Sequence, residues 1–363
     1  MSLPPGLDRD PEIVRLLEPD GTATGCARYA MPPVADLLQH YRSMVLGRRL
    51  DDQAGALVRQ GRLAVYPSSR GQEACQVAAA AALRPGDWLF PTYRDTVAVV
   101  ARGVDPVAVL SWLKGDWHCA YDPTEHHVAP QTTPLATQLL HAVGVGHAAR
   151  LQGRDTVALA MCGEGASSEG DFHEALNFAA VFKAPVVFLV QNNKYAISVP
   201  LSRQSAAPSL AHKGVGYGVP AVLVDGNDVA ALTAVLAEAV ARAASGDGPT
   251  LVEADTYRVN AHTNADDPTR YRTDDEVQGW VARDPLSRVR AYLRADGGLD
   301  DAAESILGAE AQAMAVRVRE GLQSTPAVDP DELFAHVYAT APAPLLAQRD
   351  LLREELAAEE AAR

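Results

Sequence analysis

The stretch "MCGEGASSEGDFHEALNFAAVFKAPVVFLVQNNKYAIS", residues 161–198, constrains the fold more tightly than any other part of the chain. One apolar run, "DTVALAMC" (155–162), ends on Gly163-Glu164-Gly165, and a second, "PVVFLV" (185–190), ends just before Asn192-Asn193. Residues 168–183 between them read as a helix. Ser168 with Asp171 makes a capping-box pattern, Glu169, Asp171 and Glu174 sit where a helix dipole favours acids, and Phe172, Ala175, Leu176 and Ala179 share one apolar face. Pro185 prevents continuation. A right-handed crossover makes the two runs parallel strands, and as neighbours their C-terminal ends lie roughly 5 Å apart. Glu164 and Asn193 then converge on one crevice, the place where open α/β sheets bind ligands.

The same alternation continues. Between 155 and 260 the strand-like runs "TVALAMC", "PVVFLV", "AVLVDG" and "PTLVEADTYRV" alternate with helical stretches such as 168–183 and 228–244. This predicts an α/β fold, a parallel sheet flanked by helices on both faces. Upstream, 34–61 and 71–83 are spaced as helices. The expected division is an irregular N-terminal arm (1–33), an α/β domain (34–285) and a C-terminal helical region (286–363). A formal charge of −14 in 363 residues opposes non-specific binding to nucleic acid or acidic lipid. The start of the chain resembles no targeting segment, and no apolar run approaches membrane-spanning length, so a cytoplasmic protein is expected. Four cysteines without a C-x-x-C pair signal neither a disulfide framework nor a zinc knuckle.

A crevice lined by one carboxylate, one amide oxygen and backbone carbonyls is a hard-cation set suited to Mg²⁺. The surrounding acids would repel bare phosphate, whereas phosphate bridged by a metal fits. Gly163 and Gly165 are expected to let a ligand approach the backbone.

The G-[DE]-G followed about thirty residues later by N-N resembles the thiamine diphosphate motif. "GEGASSEGDFHEALNFAA" and "NNKYAIS" resemble the alpha subunit of 2-oxo acid dehydrogenase E1 components. The resemblance runs from about residue 35 into the C-terminal region and implies a thiamine diphosphate-binding fold. It implies Mg²⁺ ligation by Glu164, Asn193 and Tyr195, and cofactor contacts from Gly165, Ala166, Tyr93, Arg94 and Gln191, the last standing where mitochondrial branched-chain relatives have an arginine. "QTTPLATQ" (131–138) resembles a potassium-binding segment with Thr132, Pro134, Thr137 and Gln138 as ligands, Thr133 near the cofactor and Leu135 under the thiazolium; a threonine-capped helix start is the competing reading. His262, in "YRVNAHTNADDPTRYR" (257–272), aligns with the family's active-site histidine. Asn260, Ala261 and Thr263 depart from the family pattern around it, and kinase control is unsupported.

The implied reaction is oxidative decarboxylation of a small 2-oxo acid and acyl transfer to a lipoyl-bearing E2 core. A beta subunit is the required partner, in an α2β2 assembly. Glu164 and "PLATQ" lean toward branched-chain substrates; pyruvate is the alternative. An NAD-dependent oxidoreductase built on "GVGHAA" (144–149) is the reading from another class, although that segment continues a helical pattern, which argues for helix packing. "HCAYDPTEHH" (118–127) gathers His118, Cys119, His126 and His127 at a spacing that fits a surface loop better than zinc.

Overall fold

The computed structural model describes residues 12–115, 119–323 and 329–362. The first eleven residues of the expected arm, and His118, therefore lie outside the described residues. Among the described residues seven strands form: β1 (Trp88–Phe90), β2 (Ala158–Gly163), β3 (Val186–Asn192), β4 (Tyr195–Ala196), β5 (Val199–Pro200), β6 (Ala221–Asp225) and β7 (Thr250–Asp255). Five make one parallel sheet in the order β1-β2-β3-β7-β6, while β4 and β5 pair as a small antiparallel ribbon. The expected α/β architecture is thus the observed one.

Burial on both faces explains the near-continuous apolar runs. In β2, Leu159 and Met161 join a core with the helices Val34–Arg59, Glu73–Ala82 and Val229–Ala244. Ala158, Ala160 and Cys162 join a second core with Thr137–Leu151 and Gly170–Phe182 on the opposite face. Each fully buried Leu, Val or Phe contributes about 1.5–3 kcal/mol. The crossover from β2 to β3 runs one way along the sheet, and that from β6 to β7 runs back. Right-handed connections therefore set their helices on opposite faces and open a crevice at the strand ends near β3 and β7.

Two local readings are corrected. The helix starts at Gly170, not 168; Ser167 and Ser168 belong to a 3-10 turn (Glu164–Ser168), and Glu169 occupies the N-cap without a side-chain bond, so no capping box forms. The turn keeps Glu164 close to β2 and leaves no room for an earlier helix start. Residues 144–149 lie inside the helix Thr137–Leu151. A side-chain carbon at Gly146 would come within 3.1 Å of Val186, so this glycine serves close helix–strand packing and the dinucleotide reading loses its ground.

The chain divides into two compact units, one ending at Leu322 and one spanning Gln323–Arg363. In the first, Pro285–Ala295 and Asp301–Gly321 pack on the helix Val34–Arg59. The second holds the helices Glu332–Ala335 and Ala343–Ala361, with Arg353 paired to Asp331.

Asp228 ties the amino-terminal segment to the sheet. Its Oδ1 caps the helix Val229–Ala244 through the amides of Ala230 and Ala231, and its Oδ2 accepts from those of Leu16 and Leu17, both at 2.7 Å. Removing it orphans four backbone donors. Asp228→Ala is expected to cost about 2–4 kcal/mol in urea unfolding and to speed amide exchange at Leu16 and Leu17. A loss below about 0.5 kcal/mol would contradict this role.

Candidate active site

The register of β2 against β3 pairs Gly163 with Gln191, and that of β3 against β7 pairs Asn192 with Asp255. Residues just beyond these three ends therefore enter one crevice. It holds a cavity of about 150 Å³ lined by residues from six chain segments, among them Arg94, Leu135, Glu164, Asn193, Arg258 and His262. That volume is below the roughly 300–1,000 Å³ of pockets that enclose a whole drug-sized ligand.

At one end three oxygens meet. Glu164 is 1% exposed, and its Oε2 accepts from the Asn193 amide at 3.2 Å. The Asn193 side-chain oxygen lies 3.3 Å from Glu164 Oε2 and 3.2 Å from the Tyr195 carbonyl, so it faces two other acceptors. Its own Nδ2 points the other way, donating to Gln72 Oε1 at 3.2 Å. Turning the amide over would place its nitrogen against both oxygens instead. Burial pushes the Glu164 carboxyl above the usual range, with the Asn193 amide, Arg258 and Arg94 opposing. A divalent cation among the three oxygens would hold it ionised.

At the other end two guanidinium groups converge on one imidazole. Arg94 Nη2 donates to His262 Nδ1 at 3.1 Å and Arg258 Nη1 at 3.2 Å, which assigns the ring proton to Nε2. Arg94 also donates to the carbonyls of Ser68 and His262. Arg258, 1% exposed, spans the carbonyls of Tyr195 and Ile197 and the Tyr271 hydroxyl. Desolvation, then Arg94 and Arg258, lower the His262 pKa to about 4. The ring is neutral at physiological pH and offers Nε2–H as a hydrogen-bond donor. This end suits an anion, and the oxygen end suits a cation.

The backbone here is strained. Ala136 and Ile197 line the cavity at φ +67° and +55°, and Lys194 stands between lining residues at φ +79°. Such angles cost of order 1–3 kcal/mol each and collect at functional sites.

The expected residues are not all gathered here. Tyr93, Arg94, Thr132, Pro134, Leu135, Gln138, Glu164, Gly165, Ala166, Gln191, Asn193, Tyr195 and His262 line the cavity, whereas Thr133 and Thr137 do not. Thr133 is exposed, and the Thr137 hydroxyl donates to Asp171 at 3.1 Å. Gln138 donates to the Met161 carbonyl and keeps a buried, unpartnered Oε1. The helix Thr137–Leu151 begins at Ala136 without a side-chain cap, so the threonine-capped start is not formed. Gln191 is 2% exposed and donates to Asp95 at 2.7 Å, so its amide nitrogen is already engaged. The space beside Gly165 is filled: a side-chain carbon there would lie 2.7 Å from Ala196 Cβ. Close approach of the β4–β5 ribbon, not of a ligand, requires that glycine, whereas Gly163 faces open space. Arg258 and Gln72 were missed. The first could have been found by extending the strand-end argument to β7; the second precedes the helix Glu73–Ala82, on an element no motif marks.

Among the described residues no group of three or more His, Cys, Asp or Glu could hold a metal ion; part of the expected surface loop forms a short helix, Pro123–His126, capped by Asp122. A wider groove of about 690 Å³ runs beside β6, but Arg15 and Arg28 there are paired with Asp225 and Glu238.

Because the His262 pKa falls below the ordinary 6.5, folding favours its neutral form; the stabilisation is present above pH 6.5 and is lost as pH falls from 6.5 toward 4. Arg94→Gln is expected to raise that pKa toward 6.5, as read from the imidazole NMR shifts. An unchanged value would contradict the pairing.

The "Dehydrogenase E1 component" family pattern matches residues 41–327. The 3-methyl-2-oxobutanoate dehydrogenase subunit alpha of Mycobacterium tuberculosis (strain CDC 1551 / Oshkosh) is 51% identical over 349 residues, 96% of this chain and 95% of that protein. The pyruvate dehydrogenase E1 component subunit alpha of Staphylococcus aureus is 40% identical over 289 residues, 79% and 78% of the two chains. Its Staphylococcus epidermidis counterpart is 39% identical over the same length. The chain belongs to the dehydrogenase E1 component family, as an alpha subunit of a 2-oxo acid dehydrogenase; membership implies thiamine diphosphate, a beta-subunit partner and an E2 complex.

Proposed function

We propose that this E1 alpha chain, together with a beta subunit, oxidatively decarboxylates a branched-chain 2-oxo acid and passes the acyl group to a lipoyl-bearing E2 core. The observation that carries the reading is that one cavity joins a cluster of three oxygens to two guanidinium groups, meeting where Arg258 Nη1 donates to the Tyr195 carbonyl, the charge pattern of a diphosphate bridged to a divalent cation. When bound, thiamine diphosphate supplies the electron sink that decarboxylation of a 2-oxo acid needs.

Glu164, Asn193 Oδ1 and the Tyr195 carbonyl would hold Mg²⁺, an all-oxygen donor set of the kind that ion selects. Tyr93 and Arg94 would hold the diphosphate oxygens, with Gly165 and Ala166 at its border and Gln191 close by. Arg94 and Arg258 keep His262 neutral, so its Nε2–H can donate to a phosphate or acyl oxygen without adding fixed charge. His262 is the catalytic residue in this reading. Leu135, 44% exposed, would support the cofactor's ring and be covered by it. Thr132, Pro134, Thr137 and Gln138 remain the potassium proposal, favoured by the unpartnered Gln138 Oε1 and opposed by the commitment of Thr137 to Asp171. The small cavity agrees with a site shared with a beta subunit in an α2β2 assembly.

The choice between substrates rests on the relatives: the one similar over 96% of the chain carries the name of a 3-methyl-2-oxobutanoate enzyme, and those named for pyruvate match over 79%. Pyruvate is the second reading. No helix among the described residues is long and apolar enough to cross a membrane, and a cytoplasmic location is proposed with the enzyme.

Calorimetry on the reconstituted αβ pair is expected to show Mg²⁺-dependent binding of thiamine diphosphate, weakened at least about 100-fold by Glu164→Gln, with the fold preserved by circular dichroism. Binding unaffected by Mg²⁺ or by the substitution would defeat the metal assignment. Turnover of 3-methyl-2-oxobutanoate is expected to exceed that of pyruvate in kcat/KM; the reverse order would favour the second reading.

A further inference from the structure

Asp51 lies on the helix Val34–Arg59, is 3% exposed and touches no residue of the cavity wall assigned above to cofactor or metal. Its carboxylate nevertheless accepts three hydrogen bonds, all from one short segment: Tyr66 Oη at 3.0 Å, Ser68 Oγ at 2.7 Å and the Ser69 amide at 2.7 Å. Among the described residues no arginine or lysine forms an ion pair with it. Burying a carboxylate without a cation costs several kcal/mol, offset here only by those three donors. Simple packing does not call for such an arrangement.

What the segment does next gives the arrangement a purpose. The Ser68 carbonyl accepts from Arg94 Nη1 at 2.8 Å, and Ser69 Oγ donates to the Arg94 carbonyl at 2.7 Å. Arg94 is thus gripped at its backbone and at its guanidinium. Ser68 Oγ also accepts from Asn260 Nδ2 at 2.9 Å, two residues before His262. One buried carboxylate therefore fixes the segment that orients Arg94 and tethers the loop bearing His262.

We infer that Asp51 is a positioning residue for the diphosphate end of the site, acting through Ser68 and Ser69 on Arg94. The inference rests on the proposed thiamine diphosphate site. In Asp51→Asn an amide nitrogen placed at Oδ1 leaves the Ser69 N–H without an acceptor, and one placed at Oδ2 forces Ser68 Oγ, which already accepts from Asn260 Nδ2, to accept again and turn its own proton away. Either way the Ser68–Ser69 segment shifts, and Arg94 loses the fixed carbonyl that holds its fork. Cofactor affinity should suffer, because Arg94 is the group displaced.

The test is a double-mutant cycle on thiamine diphosphate binding, by calorimetry on the αβ complex with saturating Mg²⁺. Asp51→Asn is expected to weaken binding about 10- to 100-fold, in the range of supporting partners elsewhere. In the Arg94→Ala background the same substitution should cost less than about threefold, because the group it positions is gone. Ser68→Ala, which removes one donor and keeps the carboxylate, should show a smaller loss with the same dependence on Arg94, and it decides the matter if Asp51→Asn does not fold. Failure of the parent complex to bind thiamine diphosphate would sink the underlying site. A parent that binds, with folded variants that bind equally well or lose the same factor in both backgrounds, would overturn the inference and leave the site standing.

Discussion

The parallel pairing of β2 with β3 is the constraint from which the rest of the structure follows. Its register is fixed by alternation: Leu159 and Met161 enter one core, Ala158, Ala160 and Cys162 the other. A one-residue slip would exchange these sets and offer large side chains to a face built for small ones. With the register held, Gly163 faces Gln191, and Glu164 and Asn193 leave adjacent strand ends in the same direction. Pairing of β3 with β7 adds a third chain end, which delivers Arg258.

The site built on these ends is unbalanced in a particular way. Glu164, Arg94 and Arg258 are each at most 5% exposed, yet among the described residues no ion pair joins the acid to either arginine. The arginines instead spend their donors on carbonyls and on His262, and the acid accepts from the Asn193 backbone amide. Buried charges that avoid each other in this manner lower stability, and local strain at Ala136, Lys194 and Ile197 adds to the cost. An occupant with a cation at one end and an anion at the other would pair the buried charges. That is the physical content of the proposed function.

The sheet, its crossover helices and the meeting of Glu164 with Asn193 were legible because long, strongly patterned runs report burial and direction. Other features escaped. β1, only three residues long, carries no period of its own and takes its place from β2. The start of Gly170–Phe182 was misjudged because Ser168 has capping chemistry, while the 3-10 turn that displaces it depends on Glu164 being held against β3. Gly165 looked like a ligand glycine and proves to make room for Ala196, a contact from a ribbon too short to foresee. Arg94 was legible as a phosphate-binding residue but not as a neighbour of His262, since 168 residues separate them and only the tertiary fold brings them to 3.1 Å.

The central claim is that Glu164 Oε2, Asn193 Oδ1 and the Tyr195 carbonyl share one divalent cation. Anomalous diffraction from crystals of the αβ complex grown with Mn²⁺ and thiamine diphosphate tests it directly. The account predicts one strong peak within about 2.0–2.3 Å of all three oxygens. A peak elsewhere, or an Asn193 amide nitrogen turned onto the Glu164 carboxylate with no peak between them, would contradict it.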